Sequence, residues 1–492
     1  MKNSKLTKAI LAVVAVAAMV AGCNKADDPE LKAPADTAQA TEAQESVEDR
    51  LIYSRAFEAI LWANPMLAVY GMAQASRDLG AGNTDVIYTG ETPDYRWGGI
   101  TYNVQSPYWV STFNVKDGPI VVELPPAGEK ARFFSSIMNY QMSSFVDIGS
   151  GGIDNGKGGK YLVLPPGYKG KVPEGYIEVR SNTYQHIICM RLIPADKGRK
   201  GWDAAVAFGK TARIYPLSEA DNPKPTKFVQ ASQKLFKPAP QFDISDFYML
   251  DRIVQEEPIF EYDKIMFGML AGIGIRKGQK FDPSPEVVKI LERAASDAQD
   301  YVIAKMQSGE SFTQFWENSA WGTMGITPEE NATPGTFNLD DGLNYERRVI
   351  TWFYYSGGWY TKLIMAKPSP TAYMWTAQDG DGNGLDATKT YKIHVPANPP
   401  ITDFWSLIAY GLKSRSFINS PKITVSSNDE DVKVNKDGSI DLYLSPEPVK
   451  GFEANTVIMN PKEPAFLCFR FYGSKPELWE DNWKLGDPEL VK

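Results

Sequence analysis

Alternation of apolar and polar positions predicts β-strands in two separate stretches of the chain. The first runs from about residue 85 to 193 and the second from Thr371 to the end. In both, short segments with apolar side chains at every second position are separated by Gly and Pro turns. Examples are "GPIVVELPP", "GKYLVLPPGYKG", "TYKIHVP" and "SIDLYLS". Short strands at this spacing are typical of a β-sandwich or barrel.

Helical periodicity fills the chain before and between the two β-rich stretches. Apolar residues recur at helical spacing from Val47 to about Leu79, and Pro65 predicts a break into two helices there. The segment "SPEVVKILERAASDAQDYVIAKMQ" predicts a long helix that Ser284 caps and Pro285 begins. A further helix is predicted near "NYERRVITWFYY", ended by Gly357 and Gly358. The pattern therefore describes two β units with a helical middle.

The N-terminus resembles a bacterial lipoprotein leader. Three lysines precede the apolar run "AILAVVAVAAMVA", which is too short to span a membrane, and the run ends in "VAGC". This resemblance to a lipobox implies cleavage before Cys23 and a lipid on its thiol. Asn24 stands where lipoproteins of the inner membrane usually carry Asp, which favours the outer membrane. We therefore expect an envelope protein that faces the periplasm and is held to the membrane through Cys23.

The length of the chain predicts its domain number, and its net charge excludes some classes of partner. The chain has 492 residues, which predicts more than one domain, and a formal net charge of -8. An acidic chain is a poor partner for nucleic acid, whose affinity comes from Lys and Arg, and it lacks a polybasic membrane patch. The predicted divisions are a signal peptide (1–22), a disordered tether (23–45), N-terminal helices with the first β-sandwich (46–245), a helical connecting region (246–340) and a second β-sandwich (341–492).

Cysteine and histidine usage limits the chemistry. Cys189 and Cys468 lie in apolar runs, and they either pair in an oxidising periplasm or, as we predict, stay free and buried. His186 and His394 are the only two histidines, the HExxH zinc motif is absent, and there is no GxSxG elbow. These counts argue against a zinc hydrolase and a serine hydrolase, and both histidines are predicted to be structural.

Several stretches resemble the bacterial families DUF1254 and DUF1214 in that order. The first resemblance runs through "NVQSPYWVSTFNVKDGPIVVELPP", and the second through "DGNGLDATKTYKIHVPANPPITDFWSLIAYG" and "FLCFRFYGSKPELWEDNWKLGDPELV". The resemblance implies a mainly β, α+β protein of two β-sandwich or jelly-roll-like domains with helical decorations. The architecture is similar to tandem jelly rolls that process glycans. The families carry no established activity, so the resemblance transfers no catalytic residue.

The stretch "DGDGNG" is the one candidate for a metal. Asp379, Asp381 and Asn383 occupy alternate positions, as in the first half of a calcium loop. Position 12 of such a loop would be Thr390 instead of an acid, so this is not an EF-hand. A polar surface turn rich in glycine is the simpler interpretation. A calcium site of another type stays open, and no other cofactor is expected.

Aromatic side chains cluster in "YTGETPDYRWGGITYNVQSPYWV". The candidate ligand-binding residues are Tyr95, Trp97, Tyr102, Tyr108 and Trp109. Rings in a loop can stack on sugars or flat organic ligands, although large rings also dominate protein cores.

These features favour an envelope protein that binds a carbohydrate or a small organic ligand. Two alternatives remain open. One is a hydrolase of glycan or amide bonds that uses carboxylates in a cleft between the domains. The other is a structural module of the envelope that binds protein.

Overall fold

The computed structural model describes residues 45–310, 312–323, 337–339, 342–354, 371–480 and 482–491. The predicted signal peptide, nearly all of the predicted tether, the lipidation candidate Cys23 and the helix terminators Gly357 and Gly358 lie outside these residues. From Ser46 onward the chain packs as one unit.

Six α-helices lie in the described ranges. They are α1 (Val47–Asp78), α2 (Gly198–Gly209), α3 (Ile244–Glu256), α4 (Lys264–Ala271), α5 (Pro285–Gln307) and α6 (Tyr345–Tyr354).

The strands of the first half are β1 (Val86–Tyr88), β2 (Tyr108–Asn114), β3 (Ile120–Leu124), β4 (Ala131–Asn139), β5 (Ser144–Gly149), β6 (Gly159–Leu164), β7 (Ile177–Arg180), β8 (Gln185–Pro194), β9 (Arg213–Pro216) and β10 (Phe228–Gln230). Those of the second half are β11 (Thr313–Gln314), β12 (Gly322–Thr323), β13 (Asn338–Leu339), β14 (Gly342–Leu343), β15 (Thr371–Thr376), β16 (Tyr391–Val395), β17 (Trp405–Gly411), β18 (Thr424–Ser426), β19 (Ile440–Ser445), β20 (Thr456–Ile458), β21 (Ala465–Tyr472) and β22 (Glu489–Leu490).

Each β-rich half forms a sandwich of a six-stranded and a four-stranded sheet. In the first domain the strand orders are β10-β1-β2-β8-β4-β5 and β7-β6-β3-β9. In the second they are β11-β12-β15-β21-β17-β18 and β20-β19-β16-β22. A buried apolar cluster fills the first sandwich, with Trp109, Phe113 and Met190 among its members. A second cluster with Trp405, Leu467 and others fills the second sandwich.

The two sandwiches repeat one topology. Strands β2 to β9 of the first domain correspond in order to β15 to β22 of the second, because β2-β8-β4-β5 matches β15-β21-β17-β18 and β7-β6-β3-β9 matches β20-β19-β16-β22. Even the parallel pairs agree, since β6 pairs with β7 and β19 with β20 in parallel. The sequence shows no repeat that would predict this duplication. The shared topology makes β8 and β21 the matching central strands of the two larger sheets.

A third apolar core lies on the outer faces of these two larger sheets and is built around α1. Its members come from α1, α3 and α5, from β8 (Ile187, Cys189) and from β21 (Phe466, Cys468). Strands β8 and β21 are therefore covered on both faces, which explains why Phe466 to Phe471 are buried without alternation. The helices thus form a layer between the sheets instead of a surface decoration.

Helix α1 corrects one prediction. A single 32-residue helix runs through Pro65, so the predicted break into two helices is wrong. Every residue from Ala59 to Tyr70 is buried, and packing on all sides outweighs the hydrogen bond that proline cannot donate.

The expected fold class is confirmed, although β11 and β12 of the second sandwich come from the predicted helical connecting region. The chain is mainly β with helices, in two sandwich domains, and Cys189 and Cys468 are free and buried. Ser284 accepts a hydrogen bond from Val287 N and caps α5, which begins at Pro285. Within the described part of the chain, no helix combines the length and apolar character needed to cross a bilayer.

Candidate functional site

Two arginines occupy matching places in the central strands of the larger sheets. In β8, Arg191 lies between Tyr108 of β2 and Phe134 of β4. In β21, Arg470 lies between Tyr373 of β15 and Ser406 of β17. Each arginine follows a cysteine by two positions, in "CMR" and "CFR". Both arginine side chains project from the same strand face as Cys189 and Cys468, because side chains at i and i+2 of a strand point the same way. That face packs against the helical core.

The Arg191 guanidinium joins the two domains. Its Nε and Nη2 donate to the Tyr108 hydroxyl at 2.9 and 2.6 Å, and Nη2 reaches the Tyr373 hydroxyl of the second domain at 3.4 Å. Its carbon lies 5.4 Å from the Tyr108 ring centre and 5.9 Å from that of Tyr472. The residue is 3% exposed. The Arg191 guanidinium of the first domain therefore contacts Tyr373 and Tyr472 of the second domain.

Arg470 is buried with much of its donor capacity unused. It is 1% exposed, and its Nη2 donates to the carbonyl oxygen of Thr101 at 2.9 Å. Three rings lie within 5.4 to 5.8 Å of the guanidinium carbon: Tyr373, Trp375 and Tyr410. Its Nε and Nη1 are buried without a hydrogen-bond partner, and it forms no ion pair among the described residues. Burying such a donor unsatisfied costs about 1–3 kcal/mol, and an uncompensated charge costs more.

The segment between Trp97 and Tyr108 crosses from the first domain to the second beside these arginines. The Asn103 amide donates to the Tyr472 hydroxyl at 2.8 Å, and the Tyr410 hydroxyl donates to the carbonyl oxygen of Tyr102. Thr101 donates from its hydroxyl to Tyr354 O at 2.9 Å and has a positive φ of 50°. These bonds fix the segment that supplies Arg470 with its one oxygen acceptor.

The electrostatics of the cluster are those of a cationic site lined by neutral hydroxyls. Burial raises the pKa of Tyr472, and the nearby Arg191 and Arg470 oppose that rise. Burial raises the pKa of the Cys468 thiol to about 12, again against the pull of the two arginines. At neutral pH the tyrosines and the thiol are therefore protonated, and the two guanidiniums carry the charge. Such a site attracts an anion.

Two half-buried rings lie beside the arginines. Phe134 and Tyr373 are half-buried, and each is the cross-strand neighbour of one arginine. Phe134 also lies 5.6 Å from the Arg191 guanidinium carbon.

The structure distributes the five predicted ligand-binding aromatics over three places. Tyr102 and Tyr108 line the arginine cluster, with ring centres 4.8 Å apart. Trp97 is fully buried and stacks on Phe236 at 4.7 Å, and Trp109 is 1% exposed inside the first sandwich. Tyr95 is 49% exposed. Trp97 also lies 5.3 Å from the Tyr102 ring, so three of the five residues are neighbours, and their ligand contacts stay a prediction.

The sequence analysis did not identify Arg191 and Arg470 as candidate site residues, although the sequence carries a signal for both. Each stands in an otherwise apolar strand, "HIICMRL" or "FLCFRFY". A charged residue in a strand buried on both faces is the informative exception, because Arg is almost never fully buried without a partner. The paired C-x-R pattern was the available signal.

The calcium candidate is a self-contained turn. Asp379 is 6% exposed, and its Oδ1 accepts hydrogen bonds from the backbone N–H groups of Asp381 and Asn383. The Asn383 amide also approaches both carboxylate oxygens, at 3.3 and 3.4 Å. Over the described ranges, no group of three or more His, Cys, Asp or Glu side chains is arranged to hold a metal ion. A calcium site here stays a prediction.

Buried carboxylates with raised pKa values are the feature that a hydrolase would need. Burial raises the pKa of Glu257 and of Asp263, and both act on the nearby Tyr140. Glu257 accepts from the Tyr70 hydroxyl and from two backbone N–H groups of the β8 entrance. Asp263 accepts from the Gln141 amide at 2.9 Å. The donors of the fold occupy these oxygens, which favours a structural role.

The histidines also have structural surroundings. His186 is fully buried, stacks on Phe113 at 5.3 Å and lies 2.8 Å from the Ser181 hydroxyl and 3.0 Å from Tyr184 O. Burial lowers its pKa to about 3, so it is neutral. Ser181 also donates to Thr183 O and accepts from Thr183 N, which makes this Ser–His pair part of a turn. His394 is exposed and pairs with Asp441 at 2.8 Å.

Fold and site together define a protein of two topologically equivalent β-sandwiches with a cationic cluster between them. DUF1254, described as a protein of unknown function, matches residues 82–216, and DUF1214, described in the same way, matches residues 370–476. The two matches, in this order, support a two-domain DUF1254/DUF1214 family.

Two solved structures are similar to this chain to different degrees. The VPA0106 protein from Vibrio parahaemolyticus is similar with a TM-score of 0.52 at 17% identity, over 90% of this chain and 100% of that one. A putative uncharacterized protein from Burkholderia cenocepacia matches 90% of this chain and 96% of that one at 11% identity, with a TM-score of 0.39. A search of the curated proteins found no match.

Proposed function

We propose that this protein is a lipid-anchored envelope protein that binds a small organic anion between its two domains. The observation that carries the proposal is Arg470, buried to 1% exposure with two guanidinium nitrogens that find no acceptor among the described residues. Arg191 lies against the same Tyr373 and Tyr472. A carboxylate or phosphate supplies the oxygen acceptors and the negative charge that the Arg470 environment lacks.

The walls of the site favour an organic ligand over a bare inorganic ion. Phe134, Tyr373 and Trp375 present rings beside the guanidiniums. The hydroxyls of Tyr108 and Tyr472 lie close by and can bond to further oxygens of the ligand. A ring or chain bearing an acidic group, such as an aromatic acid or a sugar acid, uses both properties. The anchor through Cys23 remains the expectation from the leader sequence.

A competing explanation is that the arginines only clamp the domains through cation–π contacts. Replacing a buried charge by an apolar residue of similar volume is then neutral or stabilising and has no functional consequence. The ligand experiment below separates the two explanations, because a clamp has no preference among added solutes.

The test is thermal unfolding of the full chain with pairs of solutes that differ in charge. The pairs are benzoate and benzamide, glucuronate and glucose, and phenyl phosphate and phenol. A ligand of the native state raises the melting temperature by mass action, so we expect at least one anion to raise it by a few degrees while its neutral partner does not. If neutral sugars alone raise it, carbohydrate binding replaces the proposal.

Arg-to-Lys variants test whether the ligand-induced change in melting temperature depends on the arginine cluster. Arg470→Lys keeps the charge but removes the forked donor, and we expect it to weaken anion binding roughly 10- to 100-fold, as for loss of a charged hydrogen bond. Arg415→Lys is the matched control: Arg415 is also 1% exposed, but it donates to Pro240 O at 2.8 Å and Phe353 O at 3.4 Å, which leaves Nε alone without a partner among the described residues. Equal affinity in wild type and Arg470→Lys would refute the assignment.

A further inference from the structure

Ser406 is a second buried polar residue beside Arg470 that the fold does not satisfy. It lies in β17 as the cross-strand neighbour of Arg470, and it is fully buried. Directly opposed residues of an antiparallel pair point to the same face, with Cβ atoms about 5 Å apart. The Ser406 hydroxyl finds no hydrogen-bond partner among the described residues. Such a buried hydroxyl is rare in a native protein and calls for an explanation.

The Ser406 hydroxyl also lies near the hydroxyl of Tyr472. Burial raises the pKa of Tyr472, and Ser406 is among the groups that oppose that rise, although the two hydroxyls form no hydrogen bond of normal geometry. The Tyr472 hydroxyl accepts from the Asn103 amide at 2.8 Å. A hydroxyl that accepts one hydrogen bond still has its own proton to donate. Ser406 and Tyr472 therefore place two hydroxyl groups on the second-domain side of the arginine cluster.

The duplicated topology shows that this hydroxyl is particular to the second domain. Phe134 of β4 occupies the place of Ser406 in the first domain, because each is the cross-strand neighbour of the central arginine in the corresponding strand. The Phe134 ring centre lies 5.6 Å from the Arg191 guanidinium carbon. The first domain therefore covers its arginine with an apolar ring, whereas the second domain places a small hydroxyl beside its own.

The unsatisfied nitrogens of Arg470 lie on two different edges of the guanidinium. Nε and Nη2 form one edge, as Arg191 shows, where both nitrogens donate to the single Tyr108 hydroxyl. Nη1 and Nη2 form the other edge. In Arg470 the nitrogens without an acceptor among the described residues are Nε and Nη1, one on each edge. A carboxylate pairs as a fork with one edge, so a further ligand oxygen is needed for the other.

We propose that the ligand of this site is a hydroxy acid and that Ser406 selects its hydroxyl group. The inference rests on the anion site proposed above and specifies the class of anion. The carboxylate pairs with one edge of Arg470. The ligand hydroxyl accepts from the remaining Arg470 nitrogen and donates its proton to Ser406 Oγ. An analogue without the hydroxyl leaves buried protein groups unpaired, which is the strongest basis for discrimination between similar ligands.

The experiment compares hydroxy acids with the same acids lacking the hydroxyl, by calorimetric titration of the full chain. The pairs are mandelate and phenylacetate, 3-phenyllactate and 3-phenylpropionate, and lactate and propionate. Both members of a pair carry one carboxylate, so charge does not distinguish them. We expect the hydroxy acid of at least one pair to bind about tenfold more tightly. Equal affinities within every pair overturn the hydroxyl inference alone, whereas failure of all six anions to bind overturns anion binding as well.

Ser406→Ala tests whether the preference depends on this residue. The variant lacks the uncompensated hydroxyl, so we expect an unchanged or higher melting temperature without ligand. It should bind both members of each pair equally, because the partner of the ligand hydroxyl is gone. Ser445→Ala is the matched control, since Ser445 is buried in the smaller sheet of the same domain and its hydroxyl lies 3.0 Å from that of Thr390. A preference that survives in Ser406→Ala, or that is lost equally in Ser445→Ala, would overturn the assignment.

Discussion

Removal of the Glu257 carboxylate should be among the most damaging single changes outside the arginine cluster. Glu257 is 1% exposed at the end of α3 and connects three elements. Its Oε1 accepts from the Tyr70 hydroxyl of α1 at 3.0 Å and from Gln185 N of β8 at 2.7 Å, and its Oε2 accepts from Tyr184 N at 2.8 Å. One side chain therefore ties two helices to the first residue of the central strand.

The magnitude follows from the donors that Glu257→Ala leaves behind. The Tyr70 hydroxyl and Gln185 N are buried, and each unsatisfied buried donor costs about 1–3 kcal/mol. Tyr184 is only half-buried, so water can replace the lost acceptor there. Burial raises the pKa of Glu257, so its removal also relieves a desolvation cost that offsets part of the loss. We expect a net destabilisation of about 2–4 kcal/mol.

The assay is equilibrium unfolding in urea at neutral pH, with Glu256→Ala as the matched control. Glu256 is the preceding residue of the same helix and bonds to Arg252 at 2.8 Å near the surface, where an ion pair contributes about 1 kcal/mol or less. It also lies near Tyr70 but accepts no backbone N–H of β8, so it controls for loss of a negative charge at this place. Tyr70→Phe removes one of the donors, so combining it with Glu257→Ala should cost less than the sum of the two single changes. A loss of stability in Glu257→Ala no larger than in Glu256→Ala would refute the reasoning.

Three further predictions concern backbone packing, pH and metal. Gly71→Ala should destabilise the protein by about 1–3 kcal/mol in the same unfolding assay, because the new Cβ would lie 2.2 Å from the carbonyl oxygen of Pro238. Burial raises the pKa of the Asp246 carboxyl to about 6 in the folded state. Between its ordinary pKa and 6, the unfolded chain ionises this group while the folded chain keeps it protonated. The free energy of unfolding should therefore be highest below the ordinary pKa and fall by on the order of 3 kcal/mol as pH rises through 6. Asp246→Asn should flatten the dependence of unfolding free energy on pH between 4 and 7. Because the Asp379 carboxylate already accepts backbone N–H groups, we expect the melting temperatures in EDTA and in calcium to agree within about 1 °C. A lower melting temperature in EDTA would instead support a calcium site at this turn.

Local signals predicted most of the elements. The alternating runs became β3, β6, β16 and β19, and the Ser284–Pro285 pair marked the start of α5 as expected. These features succeed because strand alternation and helix capping depend on neighbouring residues alone. Pro65 failed as a helix breaker because burial of α1 on all sides is a property of the whole fold.

The candidate site was less accessible to sequence reasoning because it depends on two strands far apart in the chain. Nothing local to Arg191 shows that Tyr373, from the other domain, lies within reach of its guanidinium. The aromatic stretch did supply Tyr102 and Tyr108, with Trp97 beside them in the same core, but Trp109 packs inside the first sandwich. Periodicity identifies a buried face without saying which other face will cover it.

The position of the two arginines in the duplicated topology strengthens the case for a ligand. Cys189 and Cys468 show that the same face of β8 and β21 accepts small apolar side chains close by, so packing alone does not call for a guanidinium there. A buried charge lowers stability relative to an apolar residue of similar volume. Arg470 bears that cost with two nitrogens unsatisfied, and an anion in the cluster would remove it by pairing with those nitrogens. An anion paired with Arg470 would therefore also stabilise the junction between the two larger sheets.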